Sequence, residues 1–201
     1  MKAVIELYLR RAIEIGEEEM LLKVYANLGA YLAKTGNENG AADAYIKGFW
    51  LGLKQNEVDF AVGLLVRRAL LIPVVSSSIT HVEQDRIYFE KRISDVTELA
   101  RSGGSTWEND ESDLFRVQSG GSNPSAIRQI PPLKGKLSSW TEGVQTPHFF
   151  VHYKGYYDLP IQQAVSRMYT EICPPNLFEI APHLLNPSDK PRESRRKVAF
   201  M

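Results

Sequence analysis

The chain has 201 residues, of which 43% are hydrophobic and 24% are charged, a composition typical of a soluble globular protein. It excludes a collagen-like chain, a disulfide-rich miniprotein and a wholly disordered chain. The 24 Lys and Arg residues balance 24 Asp and Glu residues. No overall field therefore draws the chain toward nucleic acid or an anionic membrane, and we expect neither as a partner.

From the sequence we expect neither an internal disulfide nor a secretion signal. Cys173 is the single cysteine and no CxxC spacing is present, so we expect a reducing compartment and no bound metal. Residues 1–19 are charged on one face throughout and lack the uninterrupted apolar core of a signal peptide. The longest strongly apolar run, residues 69–75, is far shorter than the ~20 residues of a membrane-spanning helix. We expect a cytoplasmic or nuclear protein.

The N-terminal third contains the spacing of one helical hairpin. A tetratricopeptide repeat is such a hairpin, of about 34 residues. The characteristic apolar and small positions of that repeat are matched here by Tyr25, Leu28, Gly29, Leu32, Ala41, Tyr45 and Gly48. Residues 35–40 are rich in turn formers and are predicted to join the two helices. Because Ile5, Leu9 and Ala12 match the second helix of a preceding repeat, we expect the chain to begin in the middle of an array.

Two further amphipathic helices are predicted after this hairpin. Apolar residues recur at three- and four-residue steps over 58–72, and Pro73 ends the pattern. A single repeat cannot bury its apolar face alone, so this helix is expected to cover the open end of the hairpin. A second apolar stripe over 82–100 follows Thr80 and Glu83, which have the spacing of a capping box.

Residues 102–146 have the composition of a flexible linker or surface insertion, with frequent glycine, serine and proline. A few apolar side chains are expected to anchor this segment to a neighbouring surface: Trp107, Phe115, Ile130, Leu133 and Trp140.

From residue 147 the pattern changes to strand, helix, strand. Residues 148–153 are aromatic and β-branched, which favours a short strand. Asp158 is placed to cap a helix that ends before Pro174. Its predicted inward face is Ile161, Ala164, Val165, Met168 and Ile172. Residues 197–200 resemble the first part of a buried strand, so we expect the chain to be truncated inside an α/β lobe.

Candidate catalytic residues are few, because the sequence contains no GxGxxG, GxxxxGK[ST], GxSxG or HExxH motif. His81 falls in the first turn of a predicted helix and is expected to be solvated. His148 and His152 share one face of the short strand, where a backbone hydrogen bond at a sheet edge is the commoner role and a cleft the alternative. His183 precedes a loop that leads into a strand and is the better cleft candidate, with a pKa suited to proton transfer.

Three other features offer weaker ligand signals. The basic cluster over 190–197 has the character of a solvated loop, with phosphate binding as the alternative. The aromatic pairs Phe49–Trp50 and Tyr156–Tyr157 are explained by packing between helices without a stacked ligand.

Three segments, in this order, resemble the O-GlcNAc transferase and SPINDLY-type glycosyltransferases. Those enzymes have an array of tetratricopeptide repeats followed by a two-lobed, Rossmann-like catalytic region. The segments are the repeat 25–48, the connector 68–74 with the helix 86–99, and the stretches 148–155, 172–174, 181–183 and 197–201.

The resemblance implies a mainly α fold, in which tetratricopeptide-like hairpins are followed by a flexible linker and the truncated start of a Rossmann-like α/β lobe. The expected divisions are a repeat region over 1–56, a helical connector over 57–101, the linker over 102–146 and a partial N-terminal catalytic lobe over 147–201.

In that family a sugar passes from a nucleotide sugar to a Ser or Thr hydroxyl of a protein, with no required metal or other cofactor. The resemblance implies GlcNAc transfer from UDP-GlcNAc, with the repeats binding the protein acceptor. It matches His183 to a cleft histidine that orients the acceptor hydroxyl or the donor phosphates. The nucleotide site of the family would lie after Met201, so we expect the chain alone to be inactive. The alternative is a non-catalytic tetratricopeptide module for protein–protein interaction.

Overall fold

The structure is a computed structural model and describes residues 7, 11, 18–73, 78–102, 106–107, 128–138 and 157–178. This part of the chain is mainly helical, as predicted. Its α-helices are α1 (Glu18–Lys34), α2 (Glu38–Lys54), α3 (Val58–Ala69), α4 (Ile79–Arg101) and α5 (Leu159–Ile172). A 3₁₀-helix, Pro175–Phe178, follows α5. Two short strands, β1 (Thr106–Trp107) and β2 (Arg128–Gln129), pair antiparallel with Thr106 opposite Gln129.

The helices α1 and α2 form the predicted hairpin, and their turn is shorter than the sequence suggested. Gly36 has a φ of 80° and ends α1 in a Schellman motif, in which the N–H of Asn37 donates to the carbonyl of Leu32 at 2.9 Å. The side chain of Asn37 then accepts a hydrogen bond from the N–H of Gly40 at 2.9 Å. Because Asn37 is the N-cap, Gly40 belongs to the first turn of α2.

The same motif turns the chain from α2 into α3. Asn56 takes the left-handed position with a φ of 62°, and the N–H of Glu57 donates to the carbonyl of Gly52 at 2.8 Å. Two turns of one kind stack α1, α2 and α3 as successive antiparallel helices. Gly63 of α3 follows Gly29 of α1 by 34 residues, the length of one repeat, so α3 stands where the first helix of the next hairpin belongs.

The helix α3 covers the hairpin, as predicted, and most of its residues are buried: Ala61, Val62, Gly63, Leu64, Leu65, Val66, Arg68 and Ala69. It ends at Ala69 rather than at Ile72. Pro73 disfavours helical dihedrals in the residue before it, so the last three apolar residues leave the helix. They remain buried at 2–4% exposure.

The N-cap of α4 is Ser78, and the predicted capping box of Thr80 and Glu83 is wrong. The Ser78 hydroxyl accepts from the N–H of His81 at 3.2 Å and lies 2.8 Å from Nδ1 of the same residue. Thr80 falls inside the first turn instead. Below this cap the predicted apolar stripe is buried at Phe89, Ile93, Val96, Leu99 and Ala100.

The helices α4 and α5 run parallel to one another. Arg86 near the start of α4 pairs with Asp158 at the start of α5, and Arg101 at the end of α4 pairs with Glu171 in the last turn of α5. The predicted inward face of α5 is buried at Ile161, Val165, Met168 and Ile172, and its Ala164 is partly buried. Because α4 and α5 are parallel, the chain that leaves the C-terminal end of α4 must pass back along the pair to reach the N-terminal end of α5.

Residues 130–138, from the middle of the predicted linker, are packed into the core. Ile130 and Leu133 are buried, as expected for anchoring side chains, and Leu137 is buried with them. They share one apolar cluster with α2, α3, α4 and α5. The division of the chain into four segments stays a prediction, as does the Rossmann-like lobe, because residues 147–156 and 179–201 lie outside the described residues. Among the helices that are described, none has the length and apolar character needed to cross a membrane.

Candidate functional site

The sequence-predicted catalytic residue, His183, lies outside the described residues, as do His148, His152 and the basic cluster over 190–197. The predicted cleft therefore stays a prediction. His81 is exposed in the first turn of α4, as expected.

The aromatic pair Phe49–Trp50 is a packing feature, as the sequence favoured. Phe49 is fully buried in the core, and Trp50 meets it edge-on with ring centroids 4.9 Å apart and planes at 61°. Tyr157, the described member of the second aromatic pair, is 74% exposed. Phe49 is therefore inaccessible to a stacked ligand, whereas Tyr157 lies at the surface.

The hairpin presents one polar stripe on α1. Lys23, Asn27 and Lys34 are exposed, and their spacing of four and seven residues places them along one side of the helix. The opposite side is buried against α2 and α3 through Leu22, Ala26, Leu28 and Leu32. We refer to Lys23, Asn27 and Lys34 as the α1 stripe, an exposed surface of the hairpin.

A second feature is the junction between α4 and α5, built on a largely buried ion pair. The carboxylate of Asp158 accepts a hydrogen bond from Nη1 of Arg86, with side chains 3% and 13% exposed. Nη2 of Arg86 also donates to the carbonyl of Tyr157 at 3.2 Å. Glu90 stands one turn farther along α4, 3.9 Å from the same guanidinium. The pair fixes the start of α5 against α4.

The role of Asp158 differs from the predicted one. It occupies the N-cap position of α5, but its side chain makes no capping hydrogen bond. The carboxylate is turned to Arg86, so that two oppositely charged groups, both largely buried, compensate one another. One signal of this pair is present in the sequence: Arg86 falls on the apolar stripe of α4, between Val82 and Phe89, where a charge needs a partner.

Two groups at the C-terminal end of α5, Tyr169 within the helix and Cys173 at its C-cap, have raised pKa values and are held in their neutral forms. Burial raises the pKa of the Cys173 thiol to about 11, and the nearby Asp59 carboxylate adds to the effect. Burial also raises the pKa of the Tyr169 hydroxyl, with a contribution from Cys173. Because the thiolate is the nucleophile, a protonated buried thiol is unreactive, and Cys173 is a structural residue in this conformation. No group of three His, Cys, Asp or Glu residues suited to a metal occurs within the described part of the chain.

Tyr169→Phe is expected to raise the free energy of unfolding by about 1 kcal/mol, because a buried hydroxyl without a partner costs desolvation energy. The Tyr169 hydroxyl is buried and makes no hydrogen bond to any described residue. Urea unfolding followed by circular dichroism measures the change, and Tyr157→Phe, at an exposed ring, is the matched control. A Tyr169→Phe chain that is less stable than the control would show that the hydroxyl has a partner in solution.

Comparison of the chain with protein-family models, with curated proteins and with solved structures finds no match in any of the three. The glycosyltransferase resemblance therefore depends on the sequence motifs alone.

Proposed function

We propose that this chain is the repeat-bearing part of a protein O-glycosyltransferase, in which GlcNAc passes from UDP-GlcNAc to Ser or Thr of a protein. In this proposal the helical hairpins bind the protein acceptor, and His183 lies in the catalytic cleft. One observation supports it most directly: the described parts of the three resembling segments contribute to adjoining layers of apolar packing. Helices α2, α3, α4 and α5 bury side chains in one cluster, and α1 joins them through α2 and Leu64 of α3.

That packing matters because the resemblance depends on the order of three segments. The repeat alone is a common helical hairpin with low specificity. The helix α4 packs on α3, shares an apolar cluster with α2, and holds α5 through Arg86 and Arg101. These contacts give a physical reason for the segments to occur together. A transferase needs such a rigid connection, because positioning an acceptor hydroxyl against a donor supplies much of the rate.

The proposal is tested by expressing the polypeptide encoded by the complete transcript and measuring transfer of radiolabelled GlcNAc from UDP-GlcNAc to Ser and Thr of protein substrates. We expect transfer, reduced by about 10²-fold or more in His183→Ala if that side chain orients a reacting group. The melting temperature of the same preparation separates a lost contact from a lost fold. Absence of transfer by the folded protein would overturn the proposal.

The 201-residue chain alone is expected to turn over no UDP-GlcNAc. Its described residues build helical layers, and the resemblance matches none of residues 1–201 to the nucleotide site of the family. Release of UDP from UDP-GlcNAc by the purified chain, followed by a coupled assay, checks this expectation. Turnover above the rate of a heat-denatured sample would place the donor site within these residues.

A second candidate function is a non-catalytic protein–protein interaction module, favoured by the exposed α1 stripe on well-packed hairpins. In this case a defined partner protein binds the chain and no sugar is transferred. The substitutions Lys23→Glu and Lys34→Glu are then expected to weaken that binding. The matched control is Lys91→Glu on α4, an exposed lysine remote in sequence from the stripe. The transfer assay on the complete polypeptide discriminates the two functions.

A further inference from the structure

Residues 130–138, which we call the clasp, connect two helices that are otherwise far apart in sequence. The clasp buries Ile130, Leu133 and Leu137 in the core. It makes a turn at Lys134–Gly135, closed by a 3.1 Å bond from the N–H of Lys136 to the carbonyl of Leu133. This short stretch therefore holds its own shape while it lies against the helices.

One contact of the clasp is with the C-terminal end of α5. The N–H of Gly135 donates to the carbonyl of Glu171 at 3.1 Å, and the N–H of Leu137 donates to the carbonyl of Ile172 at 2.9 Å. The last carbonyls of a helix have no partner within it. The clasp supplies two of these partners from a distant part of the chain, so the end of α5 depends on it.

The other contact of the clasp is with the first turn of α3. Both oxygens of the Asp59 carboxylate accept hydrogen bonds from Ser138: Oδ1 from the backbone N–H at 2.8 Å and Oδ2 from the hydroxyl. Asp59 and Ser138 are both exposed, so water competes for these two hydrogen bonds. Water does not reach the buried apolar contacts of the clasp. The contact between Asp59 and Ser138 is therefore the attachment of the clasp that breaks at the lowest cost in free energy.

We propose that the clasp is a detachable strap: it releases Asp59 and lifts from the end of α5 while the helices stay folded. The inference is independent of the proposed function. Opening exposes three apolar side chains of the clasp and the helix surface beneath them, whereas unfolding exposes the whole cluster they share with four helices. An opening that uncovers so much less apolar surface costs less free energy than global unfolding.

The chain carries its own reporter for this motion. Cys173 is the single cysteine, is 1% exposed, and directly follows Ile172, whose carbonyl the clasp covers. The same residue lies near enough to Asp59 for that carboxylate to raise its pKa. A thiol reagent reaches Cys173 when the strap opens, so the labelling rate measures the open population.

The test is the rate of labelling of the full 201-residue chain by Ellman's reagent, compared between Asp59→Ala and Glu57→Ala. Each rate is first divided by the thiolate fraction taken from that variant's own pH–rate profile, because loss of the Asp59 charge by itself lowers the pKa of Cys173. Glu57 is also an exposed acid at the start of α3, so its removal matches the change in charge near the helix end. We expect Asp59→Ala to label about tenfold faster, the scale of losing hydrogen bonds to a charged group. Glu57→Ala is expected to label at the rate of the unsubstituted chain.

Two further measurements keep the result decisive. The labelling rate of the unsubstituted chain is expected to depend on urea much less than global unfolding does, because a small opening exposes little surface. If Asp59→Ala loses helical circular dichroism, Ser138→Ala, which removes the hydroxyl bond alone, takes its place and is expected to label faster than Glu57→Ala. Equal rates in the folded variants, or a urea dependence equal to that of global unfolding, would overturn the strap.

Discussion

Arg86→Met is expected to lower the free energy of unfolding by about 3–5 kcal/mol, the cost of breaking a buried ion pair by removing one partner. The substitution leaves the Asp158 carboxylate, 3% exposed, facing a thioether in place of a guanidinium. Methionine retains much of the aliphatic stem of the arginine, so the loss reports the charge rather than the packing. Urea unfolding monitored by circular dichroism gives the value.

The control for this result is the second ion pair between the same two helices. Arg101 is 58% exposed and pairs with Glu171, 20% exposed, at 2.8 Å. Solvent screens such a pair, so Arg101→Met is expected to cost about 1 kcal/mol or less. Similar losses from the two substitutions would mean that the Arg86 pair is open to water in solution.

A third variant separates the effect of the remaining Asp158 charge from the effect of the lost contact with Arg86. Combining Arg86→Met with Asp158→Leu replaces the ion pair by two apolar side chains, and such replacements are often neutral or stabilising. The double variant is therefore expected to recover most of the stability that Arg86→Met loses. Asp158 makes no side-chain cap, so no cap bond is lost in this step.

The helices were predictable because local sequence determines where they begin, end and face the core. The three- and four-residue spacing in α3, α4 and α5 specifies one apolar stripe in each. Most residues of those stripes are buried, and Val58, Val82 and Ala164 are partly buried. The hairpin turn was predictable in place because Gly36 and Asn37 suit a left-handed residue and an N-cap. Its length was not, because either asparagine in the sequence Asn37-Glu38-Asn39 is a suitable cap.

The long-range contacts were not predictable from local patterns. Ile130, Leu133 and Leu137 are separated by polar, glycine and proline residues and follow no helical or strand period, so their sequence resembles a linker. They are buried because α3 and α5 offer an apolar surface, a carboxylate at Asp59 and unpaired terminal carbonyls. Asp158 follows the same logic: its sequence context favours a cap, and a guanidinium from 72 residues earlier in the chain binds it.

The candidate site residues also divide into those that local sequence predicts and those that it does not. The exposure of His81 and the burial of Phe49 followed from their positions in helices. His183 depends on the match to a family motif, and no local periodicity constrains it, so its role is decided by the transfer and melting measurements on His183→Ala.

Gly29 of α1 lies directly against Tyr45 of α2, since a Cβ at Gly29 would lie 2.4 Å from Cε1 of the tyrosine ring. Tyr45 is 1% exposed, so its ring has no free space to enter. Gly29→Ala is expected to lower the free energy of unfolding by about 2 kcal/mol through overpacking, although alanine favours a helix over glycine by about 1 kcal/mol. Thermal and urea unfolding of the full chain measure the net effect.

Asn27→Ala is the matched control, since it lies two residues earlier on the exposed α1 stripe and changes helix propensity without a clash. It is expected to be neutral or slightly stabilising. Tyr45→Leu, made alone and with Gly29→Ala, completes a double-mutant cycle. Because leucine removes the ring that the new methyl group meets, Gly29→Ala should cost much less in that background than in the native one. Additive losses would mean that the Gly29 backbone and the Tyr45 ring are not in contact in solution, and the hairpin would then be held by its other apolar contacts alone.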